Sequence, residues 1–154
     1  MIRREFISRS PQETMEFGER LARQLRPGDC LALVGELGAG KTTLVKGIAR
    51  GLGIPEDEVL SPTFILVREY RAGRLPLFHI DAYRIAKPEE LREIGLEEYL
   101  LSEEGISVIE WADRVREIIP AGCIEIKLEI ISEKERRIAI RGLTRAGTSS
   151  LGRT

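Results

Sequence analysis

Gly35-Glu36-Leu37-Gly38-Ala39-Gly40-Lys41-Thr42, followed by Thr43, decides how this chain is read. Its spacing is G-x-x-x-x-G-K-[ST], and each residue type in it answers a chemical demand. Gly38 and Gly40 let the backbone turn tightly and approach oxygen atoms that a Cβ would push away. Backbone amides freed in this way at the start of a helix wrap a chain of phosphates. Lys41 supplies a point charge for the β- and γ-phosphates, and the Thr42 hydroxyl is the expected magnesium ligand. Thr43 is within reach of an α-phosphate. Gly35, Glu36, Leu37 and Ala39 complete the expected nucleotide cradle.

The flanks supply the context that the motif needs. Upstream, Cys30-Leu31-Ala32-Leu33-Val34 is a short apolar run of the kind expected for a buried strand. Downstream, Leu44, Val45, Ile48, Ala49 and Leu52 give a helix an apolar stripe, and Gly53 sits where a C-terminal cap belongs. A glycine-rich turn that binds nothing would have no use for Lys-Thr after its last glycine.

With 154 residues, the chain is expected to form one domain over 1–143. A hydrophobic content of 42% and a charged content of 32% describe a globular protein in water. The net charge of −1 argues against strong nonspecific binding to nucleic acid. Cys30 and Cys123 both lie in apolar runs, so buried free thiols in a reducing cytosol are expected, and neither makes a metal pattern with the lone His79. No apolar stretch approaches the length of a membrane span, and Met1-Ile2-Arg3-Arg4-Glu5 lacks a signal-peptide core, so a cytoplasmic location is expected.

Glu5–Ser8 reads as a first strand. Ser10 with Glu13 is a capping box, with Pro11 at the first helical position, opening a helix that carries Met15, Leu21, Ala22 and Leu25 inward and ends near Pro27-Gly28. Phe64–Tyr70 and Leu75–Ile80 flank the turn Ala72-Gly73-Arg74 and predict an antiparallel hairpin. Lys87-Pro88-Glu89-Glu90-Leu91 starts another helix, and Leu96–Leu101 reads as a second short one. Ile106–Glu110 is a buried strand, Ile124–Ile130 alternates as a strand with one wet face, and Arg136–Arg141 pairs with it as a hairpin. The Gly-, Ser-, Thr- and Arg-rich tail, 144–154, is expected to be disordered.

Three further clusters are candidates to complete a nucleotide site. Ser61-Pro62-Thr63 places hydroxyls where switch loops sense a γ-phosphate, or is an ordinary Ser-Pro turn. His79-Ile80-Asp81-Ala82-Tyr83-Arg84 closes a strand on which His79 and Asp81 project from one side and Ile80 from the other. Asp81 is placed to hold a magnesium-bound or attacking water. His79 by itself reads first as a satisfied core histidine. Glu110-Trp111 ends the apolar run Val108-Ile109 with a carboxylate, the arrangement that sets an oxygen ligand near magnesium. Trp111, the sole tryptophan, either covers the site or packs in the core.

In this order, the loop Gly35–Thr43, Ser61-Pro62-Thr63-Phe64, the H-x-D-x-Y-R segment 79–84, Pro88-Glu89-Glu90-Leu91 with Gly95, and Glu110-Trp111 resemble the bacterial TsaE (YjeE) proteins. The likeness runs from the first strand to about Leu143, with no departure in the core motifs. It implies a small P-loop ATPase that works with two partner proteins, TsaB and TsaD, to install a threonylcarbamoyl group on the adenosine beside the anticodon of tRNA. By that resemblance Thr42 and Glu110 hold magnesium, Lys41 and the loop amides cradle the phosphates, and Asp81 is needed for hydrolysis. Ser61–Phe64, with Thr63, becomes the switch-like loop, and Trp111 a neighbour of the nucleotide. Pro11–Thr14 and the region near Lys134 would meet the adenine and ribose.

The expected fold is therefore α/β and P-loop NTPase-like, a mostly parallel sheet flanked by helices with an antiparallel hairpin added, and nucleotide at the carboxyl ends of the strands. An ATPase that resets its partners is favoured, because the chain has no long Arg-rich lid and no second insertion to form an acceptor pocket. Arg84 is the candidate arginine finger in cis. Two other readings are a small-molecule kinase on the same fold and a nucleotide-gated binding module with negligible turnover. The absence of an N-K-x-D element argues against guanine. Arg136, Arg137, Arg141 and Arg145 form a basic patch, either a solvated strand face or an RNA contact.

Overall fold

The computed structural model describes residues 3–36, 38–55, 67–83, 89–90, 95–100 and 102–142. Chain order runs β1 (Arg3–Ser8), α1 (Pro11–Gln24), β2 (Cys30–Val34), α2 (Lys41–Gly51), β3 (Val67–Tyr70), β4 (Leu77–Asp81), α3 (Leu96–Leu100), β5 (Ile106–Glu110), a 3₁₀ helix (Ala112–Ile118), β6 (Ile124–Ile130) and β7 (Arg136–Arg141). All seven strands form one sheet in the order β1-β7-β6-β2-β5-β4-β3. Its centre is parallel: β6 and β5 flank β2, and β4 follows β5. Both margins are antiparallel, with the β3–β4 hairpin on one side and β6–β7–β1 on the other. The expected hairpins form. The return of β1 to the edge beside β7 has no local signal, since nothing in Glu5–Ser8 names a partner more than a hundred residues away.

Strand alternation sorts the core into two layers. Leu31, Leu33, Leu77, Ile106, Val108, Ile124, Ile126, Leu128, Ile138 and Ile140 point to the face covered by α1 and α2. Cys30, Ala32, Phe78, Ile80 and Ile109 point to the other, under Leu100 of α3 and Ala112, Val115 and Ile118 of the 3₁₀ helix. The stripe expected on α2 is buried throughout, from Leu44 to Leu52. Gly53, at φ 84°, closes that helix as expected. Its N–H donates to Arg50 O at 3.0 Å and the Ile54 N–H to Ala49 O at 2.9 Å, the paired bonds of a Schellman turn.

Two expectations on α1 need correcting. The buried stripe is Thr14, Phe17, Gly18, Leu21, Ala22 and Leu25, and Met15 is only half-buried. Phe17 belongs to the core because α1 faces both the sheet, where its ring meets Phe6 at 5.1 Å, and α2. The capping box is also offset. Ser10 Oγ accepts from the Glu13 N–H at 3.1 Å, but Glu13 Oε1 accepts weakly from Arg9 N–H (3.4 Å), not from Ser10. Residues 64–66 of the expected first hairpin strand, most of the helix expected from Lys87, and the tail lie outside the described residues. Among those described, no helix is long and apolar enough to cross a membrane.

Cys30 is buried, but Cys123 is partly exposed, at the end of the sheet where the parallel strands begin. The thiol of Cys30 beside it, together with burial, pushes the Cys123 thiol far above its ordinary value. Since the thiolate is the nucleophile, Cys123 should be alkylated by iodoacetamide at about pH 8 at least ~10-fold more slowly in the folded protein than in urea. Equal rates in the two states would refute that protection.

Candidate functional site

The carboxyl ends of β2, β4 and β5 lie together and bring Lys41, Thr42, Asp81, Glu110 and Trp111 into one neighbourhood. Val34 leads directly into Gly35, and α2 begins at Lys41. Gly38 (φ 81°) and Gly40 (φ 99°) take left-handed conformations, as a loop that turns its amides inward requires. Lys41 is buried and folds back along this loop, donating to Gly35 O at 2.5 Å and Glu36 O at 2.9 Å. Its ammonium lies 3.8 Å from the centroid of the Trp111 ring. Burial lowers the Lys41 pKa, against the opposing pull of Glu110, Asp113, Asp81 and Glu36.

Asp81 ends β4 and Glu110 ends β5, and the two are directly paired in the parallel register. Both are almost fully buried, at 3% and 2% exposure. As the alternation predicts, His79 and Asp81 share the side of β4 that carries Leu77, toward α2. Asp81 Oδ1 accepts from the Tyr83 N–H at 2.8 Å, which fixes one oxygen of the carboxylate. Glu110 receives the Thr42 hydroxyl at 3.3 and 3.4 Å, so the last residue of the motif and the strand-end carboxylate meet. His79 Nε2 lies 2.5 Å from Glu110 Oε2. The lone histidine is therefore a core residue and a neighbour of the site at once.

Trp111 has φ 59°, the only positive φ of a non-glycine residue among those described. That costs on the order of 1–3 kcal/mol and turns the chain sharply after Glu110. The indole packs on Tyr83 with ring centroids 4.8 Å apart and planes tilted by 45°, with Arg114 5.2 Å from the Tyr83 ring and 5.6 Å from Trp111. Trp111 lies over the Lys41 ammonium, and its body packs against the cluster under the 3₁₀ helix. A cleft of about 450 Å³ opens beside it, lined by Gly35, Glu36, Trp111, Asp113 and Lys127.

Arg136 is the residue of this neighbourhood that the sequence assigned only to a basic patch. Its Nη2 donates to Gly38 O at 3.1 Å, while Nη1 donates to the carbonyls of Ser132 (2.7 Å), Glu133 (3.2 Å) and Glu135 (2.9 Å). It ties the β6–β7 turn, and with it the region of Lys134, to the phosphate loop. On the other flank Thr14 is buried beside Gly40 and shares a 2.7 Å hydrogen bond with Ser8. No local pattern marks either contact; Arg136 and Gly38 are 98 residues apart. The rest of the patch reads as a solvated strand face, with Arg137 beside Glu129 at 3.8 Å and Arg141 beside Glu125 at 3.9 Å, all exposed or half-exposed. Leu37, Thr63 and the whole segment Ser61–Phe64, Arg84 and Arg145 lie outside the described residues.

A family model described as "Threonylcarbamoyl adenosine biosynthesis protein TsaE" matches residues 8–138, a span that includes every one of these groups up to β7. The chain belongs to the TsaE family. A relative named tRNA threonylcarbamoyladenosine biosynthesis protein TsaE, from Treponema pallidum, is 42% identical over 134 residues, covering 87% of this chain and 97% of the relative. A second of the same name, from Bacillus subtilis, is also 42% identical, over 84% of this chain and 79% of its own length. The crystal structure of Bacillus subtilis YdiB superposes with a TM-score of 0.75 at 35% identity, covering 90% of this chain and 84% of that one. The α/β, P-loop NTPase-like fold is thus shared with a solved structure.

In this TsaE-family chain the oxygen donors near the loop are compatible with a hard cation such as magnesium. Among the described residues, no group of three or more His, Cys, Asp or Glu side chains is arranged to hold an ion. Thr42 and Glu110 bring a hydroxyl and a carboxylate together beside the loop. Magnesium is commonly held by one or two protein oxygens, with the rest of its shell from phosphate and water.

Proposed function

We propose that this protein is the ATP-binding and slowly ATP-hydrolysing subunit that supports threonylcarbamoyl modification of the tRNA adenosine beside the anticodon, acting in the cytoplasm with TsaB and TsaD. The observation that carries the reading is the meeting of Thr42 and Glu110 at the start of the phosphate-loop helix, with Asp81 beside them. Thr42 and Glu110 would hold magnesium, which when bound supplies charge neutralisation for the β- and γ-phosphate oxygens. Lys41 leaves its carbonyl partners to meet the phosphates, a move favoured because a buried ammonium gains more from an anion than from neutral carbonyls. Asp81, oriented by the Tyr83 amide, takes a hydrogen bond from the attacking water. The family membership supports the biological setting. Slow turnover by the chain alone follows because catalysis of this kind depends on positioning, which partners complete.

The test is ATP turnover with magnesium, for the chain alone and with TsaB and TsaD, beside an Asp81→Ala control. Basal hydrolysis should rise at least ~10-fold with the partners and vanish in the variant, while nucleotide still binds. Turnover indifferent to partners and to the variant would sink the proposal and point to a kinase with an acceptor still to be found. Tight nucleotide binding with no turnover in the full assembly would instead favour a nucleotide-gated module.

A further inference from the structure

We propose that His79 is a positioning residue, which holds the Glu110 carboxylate in the orientation that presents it to Thr42 and to magnesium. The inference rests on the magnesium reading of Glu110. His79 is fully buried at the middle of β4, and its Nε2 makes a 2.5 Å hydrogen bond to Glu110 Oε2. An ionised carboxylate accepts only, and with Glu110 in that form the ring donates through Nε2. The Thr42 hydroxyl, by contrast, is 3.3 and 3.4 Å from the two oxygens. A bond near 3.4 Å constrains orientation weakly and a short one strongly, so His79, not Thr42, sets how this carboxylate lies.

The register explains the reach. Glu110 is opposite Asp81, and His79 is opposite Val108, so the Glu110 side chain leans back one pleat to meet the ring. A glutamate at a strand end has three rotatable bonds, and pinning one oxygen removes most of that freedom before any ligand arrives. Packing alone does not account for the histidine. Its Nδ1 is buried with no hydrogen-bond partner among the described residues, a cost that an aliphatic or phenyl side chain would avoid. The ring is retained for the one bond it makes.

Two amides separate this role from simple filling of the core. The side-chain nitrogen of Gln reaches roughly the place of Nε2, whereas that of Asn reaches only roughly the place of Nδ1. ADP binding to the full chain is measured by calorimetry as a function of magnesium, and again in EDTA. His79→Asn should raise the half-saturating magnesium about 10-fold and His79→Gln less than about 3-fold, with binding in EDTA unchanged in both. Unchanged magnesium demand in His79→Asn, while Glu110→Gln raises it, overturns the role of His79 and leaves Glu110 as ligand. No effect in Glu110→Gln overturns the magnesium reading, and this inference with it. Loss of binding in EDTA in His79→Asn overturns it too, since the ring would then support the phosphate loop.

Discussion

Glu110→Gln is expected to lower magnesium-dependent ATP turnover on the order of 100-fold, equivalent to about 3 kcal/mol of transition-state stabilisation, while nucleotide binding in EDTA stays within about 3-fold of wild type. The substitution is nearly isosteric. It keeps an oxygen for His79 and for the Thr42 hydroxyl, so the strand end and α2 should stay in place. What it removes is one negative charge from a buried position between the phosphate loop and Asp81. Losing the charge weakens an oxygen's hold on magnesium, whereas a carboxylate that only fills space and accepts hydrogen bonds is little changed by an isosteric amide. Binding in EDTA depends on Lys41 and the loop amides, which the variant leaves alone. Steady-state hydrolysis with saturating ATP and a magnesium titration decide the matter: wild-type turnover in Glu110→Gln would remove Glu110 from the chemistry.

Gly47→Val should lower stability by about 3 kcal/mol or more and the melting temperature by roughly 10 °C. Gly47 is buried in α2 where α1 crosses it. A Cβ added there would lie 2.8 Å from the carbonyl carbon of Met15 and 2.9 Å from its Cα, and closer still to the carbonyl oxygen. These are backbone atoms of another helix, so relief requires α1 to move, and with it Phe17 and Leu21. The propensity gain of leaving glycine, under about 1 kcal/mol, is too small to compensate. Gly122, whose added Cβ meets nothing within 4 Å, is the control. Gly122→Ala should stay within about 0.5 kcal/mol of wild type in urea unfolding. A stable Gly47→Val protein would show that the helix pair is not close-packed at this point.

The features legible in the sequence were those whose cause is local. The left-handed glycines of the phosphate loop, the apolar stripe of α2, the buried run Ile106–Glu110 and the wet-face alternation of Ile124–Ile130 each follow from backbone geometry or a period of two or 3.6. That His79 and Asp81 share a side came from the same rule. Long-range pairing was not legible in this way. Period-two alternation in Glu5–Ser8 says that it is a strand and not that Arg136–Arg141 receives it. The bond of His79 to Glu110 spans 31 residues and that of Arg136 to Gly38 spans 98, and neither leaves a trace in spacing. Phe17 was missed for a related reason: a helix wedged between a sheet and another helix buries a wider arc than one lying on a single surface.

The return of β1 to β7 also governs how the molecule can be held. Arg3 stands in register with Arg141, and Arg141 with Glu125, so the start of β1, the end of β7 and the start of β6 form one row. Gly142 follows beside Cys123, at the end of the sheet away from the phosphate loop. A bead, biosensor surface or fused domain attached through either of these strand ends therefore pulls on the opposite pole. An immobilised molecule presents its carboxyl-end cleft to the solution, and the anchoring force enters through the antiparallel margin of β1 and β7, away from the parallel centre that carries Asp81 and Glu110.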